Sequence, residues 1–275
     1  MRHLAGDRAH LTQAEPSLGD RIGARLGRWP GPIECEARIA STNDRLKERA
    51  RAGAHEWSVV LAEEQTAGRG RLGNTWASPR GNLFLSLLLR PSCSAEEAGL
   101  IPLMAGIGAC DALRGLGAKT VLKWPNDVLV GGRKLGGILT EAAWGEGRLE
   151  SVVVGVGLNV SLVPDALAGP MSEAVTSLTS ELARDVSVEE VAAPVLEQLA
   201  LWYHRLAAGG RSEVVDAWRD RSAPWWGRAV EVRLGARLVK GVARGIDDTG
   251  ALLIEEADGR QLTILAGEAQ ALRLG

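Results

Sequence analysis

The sequence is almost without two of the three large aromatic side chains: a single Phe and a single Tyr stand beside nine Trp. Cysteine is scarce too. Cys35, Cys93 and Cys110 lie 58 and 17 positions apart, with no C-x-x-C and no His at metal spacing, so they read as reduced, packed thiols rather than metal ligands. There is no excess charge of either sign. Lys and Arg total 32 against 34 Asp and Glu, a net charge of -2, so no basic field draws in DNA or anionic lipid. Long apolar runs are missing. The N-terminus has no hydrophobic h-region, and the longest nearly uncharged stretch, residues 98–110, contains Pro102 and three glycines, so neither a signal peptide nor a membrane span is expected. A cytoplasmic enzyme or binding protein is the expectation. Apolar residues at 45% and charged residues at 24% match ordinary globular usage, which excludes a disordered chain, a collagen-like repeat and a coiled coil. What is plentiful is glycine, 34 in 275 residues against a usual ~7%.

That length exceeds one average domain and falls short of two full ones. Residues 1–35, rich in Gly, Pro and Arg, read as a partly ordered lead-in with a weak helical pattern around Ile22. Ser41-Thr42-Asn43-Asp44 offers N-cap side chains, so a helix is expected from Ser41 or Thr42 until Gly53 stops it. Strands are expected over 58–62 and 83–89, then a covering helix over 95–116. Further strands fall at 121–124, 128–130, 135–141 and 152–156, with Gly131-Gly132 as a hairpin turn. Helical spacing returns over 188–205 and 212–219. After Pro224 come short alternating runs at 229–234, 238–246, 252–255 and 261–265, a small β-barrel. The class is α+β with a mixed sheet, divided as 1–35, 36–222 and 223–275.

The segment Glu64-Gln65-Thr66-Ala67-Gly68-Arg69-Gly70-Arg71-Leu72-Gly73-Asn74-Thr75-Trp76 contains G-x-G-x-x-G after a strand. A dinucleotide fingerprint would open a helix there, but the next residues lead into another strand, and no Walker A sequence is present. What remains is a glycine loop with two guanidinium groups two residues apart, suited to clamping an anion or to a solvated turn. Lys123-Trp124-Pro125-Asn126-Asp127 and Arg133-Lys134-Leu135-Gly136-Gly137-Ile138-Leu139 follow, each readable alone as turn and strand end. Gly155-Val156-Gly157-Leu158-Asn159 puts two glycines on one strand face, as a bulge or a ligand approaching the backbone requires.

Together with Ser41-Thr42-Asn43, these segments closely resemble the biotin protein ligases, over roughly residues 36–222 and in the same order. The resemblance implies a class II aminoacyl-tRNA-synthetase-like catalytic domain followed by a small SH3-like β-barrel. It implies that ATP activates biotin to biotinyl-5'-AMP, which then passes its acyl group to a lysine of a biotin carboxyl carrier protein or domain. No protein nucleophile is needed, in keeping with the absence of a Ser-His-Asp or Cys-His arrangement.

Residue by residue, the resemblance gives Ser41, Thr42, Asn43 and Gln65 to the ring end of biotin, with Gly68, Gly70 and Arg71 also at biotin. Gly137, Ile138, Gly155 and Gly157 line its slot. Lys134 and Arg69 hold the carboxylate, and Lys123 is the main catalytic lysine at the α-phosphate. Trp76, Arg69, Arg71, Asn126 and Asn159 face the nucleotide, with Asn159 near a Mg²⁺ that the nucleotide itself mainly holds. The loop 66–73 is expected to be mobile without ligand and to order over biotin. The basic run that some members continue after Arg71 is interrupted at Leu72. A lipoate or octanoate ligase of the same superfamily is the alternative, and a nucleic-acid-binding regulator a more distant one. A winged helix needs about 60 residues of its own, so a monofunctional ligase with no nucleic-acid partner is expected, as monomer or homodimer.

Overall fold

The computed structural model describes residues 16–161, 175–265 and 269–274. Ser17 caps the first helix, α1 (Leu18–Leu26): its hydroxyl accepts the Asp20 amide while the Asp20 carboxylate takes the Ser17 amide. The chain continues through β1 (Ile33–Glu36), α2 (Thr42–Arg51), β2 (Val59–Ala62), β3 (Leu83–Leu89), α3 (Ala95–Ala98) and α4 (Ile101–Gly115). Then come β4 (Thr120–Lys123), β5 (Asp127–Val130), β6 (Arg133–Gly145), β7 (Arg148–Leu158), α5 (Leu178–Leu182), α6 (Val188–Ala207) and α7 (Arg211–Arg221). Five short strands close the chain: β8 (Ala229–Leu234), β9 (Arg237–Ile246), β10 (Leu252–Glu255), β11 (Gln261–Ile264) and β12 (Ala269–Leu274).

Seven strands make one mixed sheet, ordered β1-β2-β3-β7-β6-β5-β4, in which β1 and β2 run parallel and every other neighbouring pair is antiparallel. Alternation along the strands sorts its side chains. Leu83, Leu85, Leu87 and Leu89 of β3 and Val152, Val154, Val156 and Leu158 of β7 join the buried residues of α1, α4, α6 and α7 in the main core. Val60, Leu88 and Val153 point the other way and meet Leu46 of α2 in a small second cluster. Beyond α2 that second face carries Ser86, Gly155, Gly157 and Gly137, and a cavity opens there.

Several elements differ from the sequence reading. The expected lead-in is structured from residue 16 onward: α1 buries Ile22 completely and β1 pairs with β2, so the sheet begins at Ile33 rather than with the strand expected at 58–62. Residues 1–15 of that expected segment lie outside the described residues. The single helix expected over 95–116 is two, because Pro102 lacks an N–H and its ring would clash with the carbonyl four residues back, at Ala98. β6 and β7 run past their expected ends to a two-residue turn, with Glu146 at φ 49° and Gly147 at φ 75°. The Gly131-Gly132 hairpin turn is as expected. β1, α5 and β12 were not foreseen.

The last five strands form an antiparallel sheet ordered β11-β10-β9-β8-β12. Its inward residues, among them Val230, Val232, Val239, Leu252 and Ile254, belong to the same buried cluster as the large sheet. No helix of the described residues is long and apolar enough to cross a membrane.

Candidate active site

Strand register brings the reactive residues together. Lys123 pairs with Asp127, Asp127 with Gly137, Gly137 with Gly157 and Gly157 with Phe84, so one row crosses β4, β5, β6, β7 and β3 on a single face of the sheet. Above it lies a cavity of about 490 Å³. At one end Asp127 holds two lysines, with Lys134 Nζ at 2.6 Å and Lys123 Nζ at 3.4 Å. Arg71 lines the same end; burial pushes its guanidinium below the ordinary arginine value, and the nearby Asp127 charge partly restores it. Lys123, Lys134 and Arg71 thus gather around Asp127 at that end of the cavity.

The opposite end is polar but uncharged. Ser41 caps α2, and the backbone N–H and hydroxyl of Thr42 donate to Gln65 Oε1 at 2.8 and 3.2 Å. Gln65 Nε2 donates to Ser78 Oγ at 3.0 Å, which fixes the orientation of its amide. Between the two ends lies Trp76. Its ring covers the backbone at Gly157, where an added Cβ would sit 2.8 Å from Cε2 and Nε1, and Lys134 Nζ lies 5.2 Å from the ring centroid. The Trp76 Nε1 is buried and has no hydrogen-bond partner among the described residues.

The glycine loop folds as a small hairpin, with Trp76 N donating to Gly68 O and Gly70 N to Asn74 O, and a turn at Leu72 and Gly73. It opens no long helix, in keeping with the rejection of a dinucleotide fingerprint. Arg69 and Arg71 diverge from it. Arg69 Nη2 donates to Asp44 Oδ1 and Glu141 Oε2, both at 2.7 Å. Burial lowers its pKa, but Glu141 and Asp44 outweigh that and raise it overall.

Ser41, Thr42, Asn43, Gln65, Arg69, Gly70, Arg71 and Trp76 all line the cavity, as do Lys123, Asn126, Lys134, Gly137, Ile138, Gly155 and Gly157. Two expected residues do not. Gly68 is buried in the hairpin beneath, and Asn159 donates its side-chain N–H to Thr176 O at 3.0 Å and Lys134 O at 3.4 Å, which ties it to the backbone at Lys134. Two assignments change in detail. Arg69, expected at the carboxylate, is taken up by two protein carboxylates. The glycines, expected to admit a flat ligand ring, also admit protein: Gly157 admits Trp76, and at Gly155 a Cβ would land on the Asn43 amide. Asp127 and Glu141 were missed as organisers, although Asp127 stands inside a motif that the sequence reading had singled out. Among the described residues no cluster of three His, Cys, Asp or Glu side chains could hold a metal ion.

Residues 36–159 match the model of the biotin/lipoate A/B protein ligase family, and residues 226–270 match the biotin protein ligase C-terminal domain. The biotin–[acetyl-CoA-carboxylase] ligase of Paracoccus denitrificans is 37% identical over 231 residues, covering 82% of this chain and 95% of that protein. The enzyme of the same description from Mycobacterium tuberculosis is 38% identical over 279 residues, 97% of this chain and 98% of its own. The chain belongs to the biotin protein ligases. A solved biotin protein ligase from Aquifex aeolicus, in complex with biotin and ATP, superposes with a TM-score of 0.75 at 27% identity, covering 88% of this chain and 99% of that one. The mixed sheet with flanking helices and the small C-terminal antiparallel sheet are the biotin protein ligase fold, the latter corresponding to its SH3-like module.

Proposed function

We propose that this ligase joins biotin to ATP in the cavity above the Lys123–Asp127–Lys134 row and passes the biotinyl group to a lysine of a biotin carboxyl carrier domain of acetyl-CoA carboxylase. One observation carries the reading: a single cavity has a neutral hydrogen-bonding end at Thr42 and Gln65 and a cationic end at Lys123, Lys134 and Arg71. That polarity suits a molecule with an uncharged, hydrogen-bonding ring and a carboxylate at the end of its chain.

The first step brings the biotin carboxylate against the α-phosphate of ATP. One pair of like charges at 4 Å costs about 4 kcal/mol at an effective dielectric near 20. Lys123, Lys134 and Arg71 offset this where the charge gathers, and they are held ready before substrate arrives because Asp127 already orients both lysines. The carboxylate oxygen bonds to phosphorus, pyrophosphate leaves, and biotinyl-5'-AMP remains. In the second step the carrier lysine attacks the acyl carbon and AMP departs. Lys123 is assigned to the α-phosphate and Lys134 to the carboxylate. Arg71 takes the clamping role that the sequence reading gave to Arg69. The Trp76 N–H, without a partner among the described residues, is the donor offered to a ligand oxygen, and its ring lies beside the adenylate.

A division between catalytic and C-terminal domains at residues 222 and 223 belongs to the same reading, and the connection between α7 and β8 supports it. Three free cysteines suit a reducing cytoplasm. A lipoate or octanoate ligase is the weaker reading, because an alkyl or dithiolane end would leave the Thr42 and Gln65 groups without ligand partners. ATP–pyrophosphate exchange with biotin and with octanoate separates the two, and labelling of a purified carrier domain with biotin and ATP tests the transfer. Lys123→Ala is expected to lose pyrophosphate release while still binding biotin. Near-normal release by that variant would remove Lys123 from its role.

A further inference from the structure

Arg69 completes a ring of four charges. Lys47 Nζ reaches Asp44 Oδ1 at 2.8 Å and Glu141 Oε1 at 2.7 Å, and Arg69 Nη2 bridges the same two carboxylates from the other side. Lys47 and Asp44 stand on α2 and Glu141 on β6; Arg69 alone comes from the glycine loop. Without it, two carboxylates would share one cation. Glu141 also accepts Asn43 Nδ2 at 2.9 Å. Asn43 Oδ1 in turn takes the Ser86 hydroxyl at 2.6 Å, and that hydroxyl lies 2.9 Å from Thr42 Oγ1. A continuous polar chain therefore runs from the Thr42–Gln65 end of the cavity, through Ser86, Asn43 and Glu141, to the loop that covers it. Isolated surface ion pairs are worth little, but Glu141 is largely sheltered and carries hydrogen bonds from three residues at once.

We infer that Glu141 is a positioning residue: through Arg69 it fastens the glycine loop over the cavity, and so sets how long biotinyl-AMP is retained. The inference rests on the ligase reading above. It concerns the hold on the intermediate rather than its formation, because Glu141 itself is absent from the cavity lining. Loss of the fastening would raise the rate at which biotinyl-AMP escapes, whereas a residue that merely supported the fold would not act through Arg69.

The test compares Glu141→Gln, Arg69→Ala and the double variant, measuring release of preformed biotinyl-AMP from each. Either single change is expected to speed release about tenfold, as losses of a residue that orients a functional group commonly do. The double variant should be no faster than the single ones, since both break one interaction. Arg69 lies on an exposed loop, so Arg69→Ala keeps the test alive if Glu141→Gln fails to fold. Unchanged release in Arg69→Ala, or single effects that multiply in the double variant, would overturn the fastening. If the unaltered protein formed no biotinyl-AMP from biotin and ATP, the ligase reading itself would fall. Normal synthesis with unaltered release in the variants would overturn this inference alone.

Discussion

At the scale of single residues, the nine tryptophans are distributed among distinct tasks. Trp218 is buried in the core, Trp202 donates to Asp111 and lies under Arg205 and Arg221, and Trp29 and Trp57 make an edge-to-face pair that continues to Tyr203. Trp76 is the one placed over the glycine floor of the cavity. Gly157→Ala should push that ring aside, because a methyl group 2.8 Å from two ring atoms is closer than real contacts allow. Biotin binding is expected to weaken by about tenfold, a displacement cost near 1.4 kcal/mol, while the fold survives. Titration calorimetry giving an unaltered affinity would detach Trp76 from the site. The sequence singled out these glycines by their place on one strand face, yet nothing local in it says whether a ligand or a side chain occupies the space.

At the scale of elements, local rules served well wherever the chain obeys short-range sterics. β3 and β8 have the expected bounds, α2 starts on the expected cap at Ser41, and the double-glycine turn joins β5 to β6. They served less well where the decisive contact is distant. The pattern around Ile22 is weak over nine residues, but α1 docks on α6 and leaves Ile22 with no exposed surface. Ile22→Ala is therefore expected to cost about 3 kcal/mol in urea unfolding, as for other fully buried large-to-small changes. A loss below about 1 kcal/mol would return this helix to the status of a loose lead-in.

At the scale of the whole molecule, the C-terminal sheet is joined to the catalytic sheet beside its reactive lysine. Trp124, adjacent to Lys123, is buried and donates its indole N–H to Gly250 O at 3.0 Å, and Trp225 lies 5.9 Å from the Lys123 ammonium. Arg219 of α7 adds two bonds to Ile246 O. Trp124→Phe removes the donor and strands a carbonyl, which should cost about 1–3 kcal/mol. A lowered thermal midpoint and slower adenylation with an unaltered biotin affinity are expected. A variant as stable and as fast as the original would separate the two sheets functionally. The sequence by itself determined the order of most elements, the α+β class and the inventory of reactive groups, because alternation, caps, turns and motif spacing act over a few residues of backbone. Tertiary structure alone decided which acidic groups Arg69 and Arg71 lie beside, what fills the space above Gly155 and Gly157, and that Arg69 meets Glu141 across 72 positions and Trp124 meets Gly250 across 126. The physical reason is that charge pairing, packing and desolvation depend on separation in space, and the chain fixes that only once the sheet has set its register.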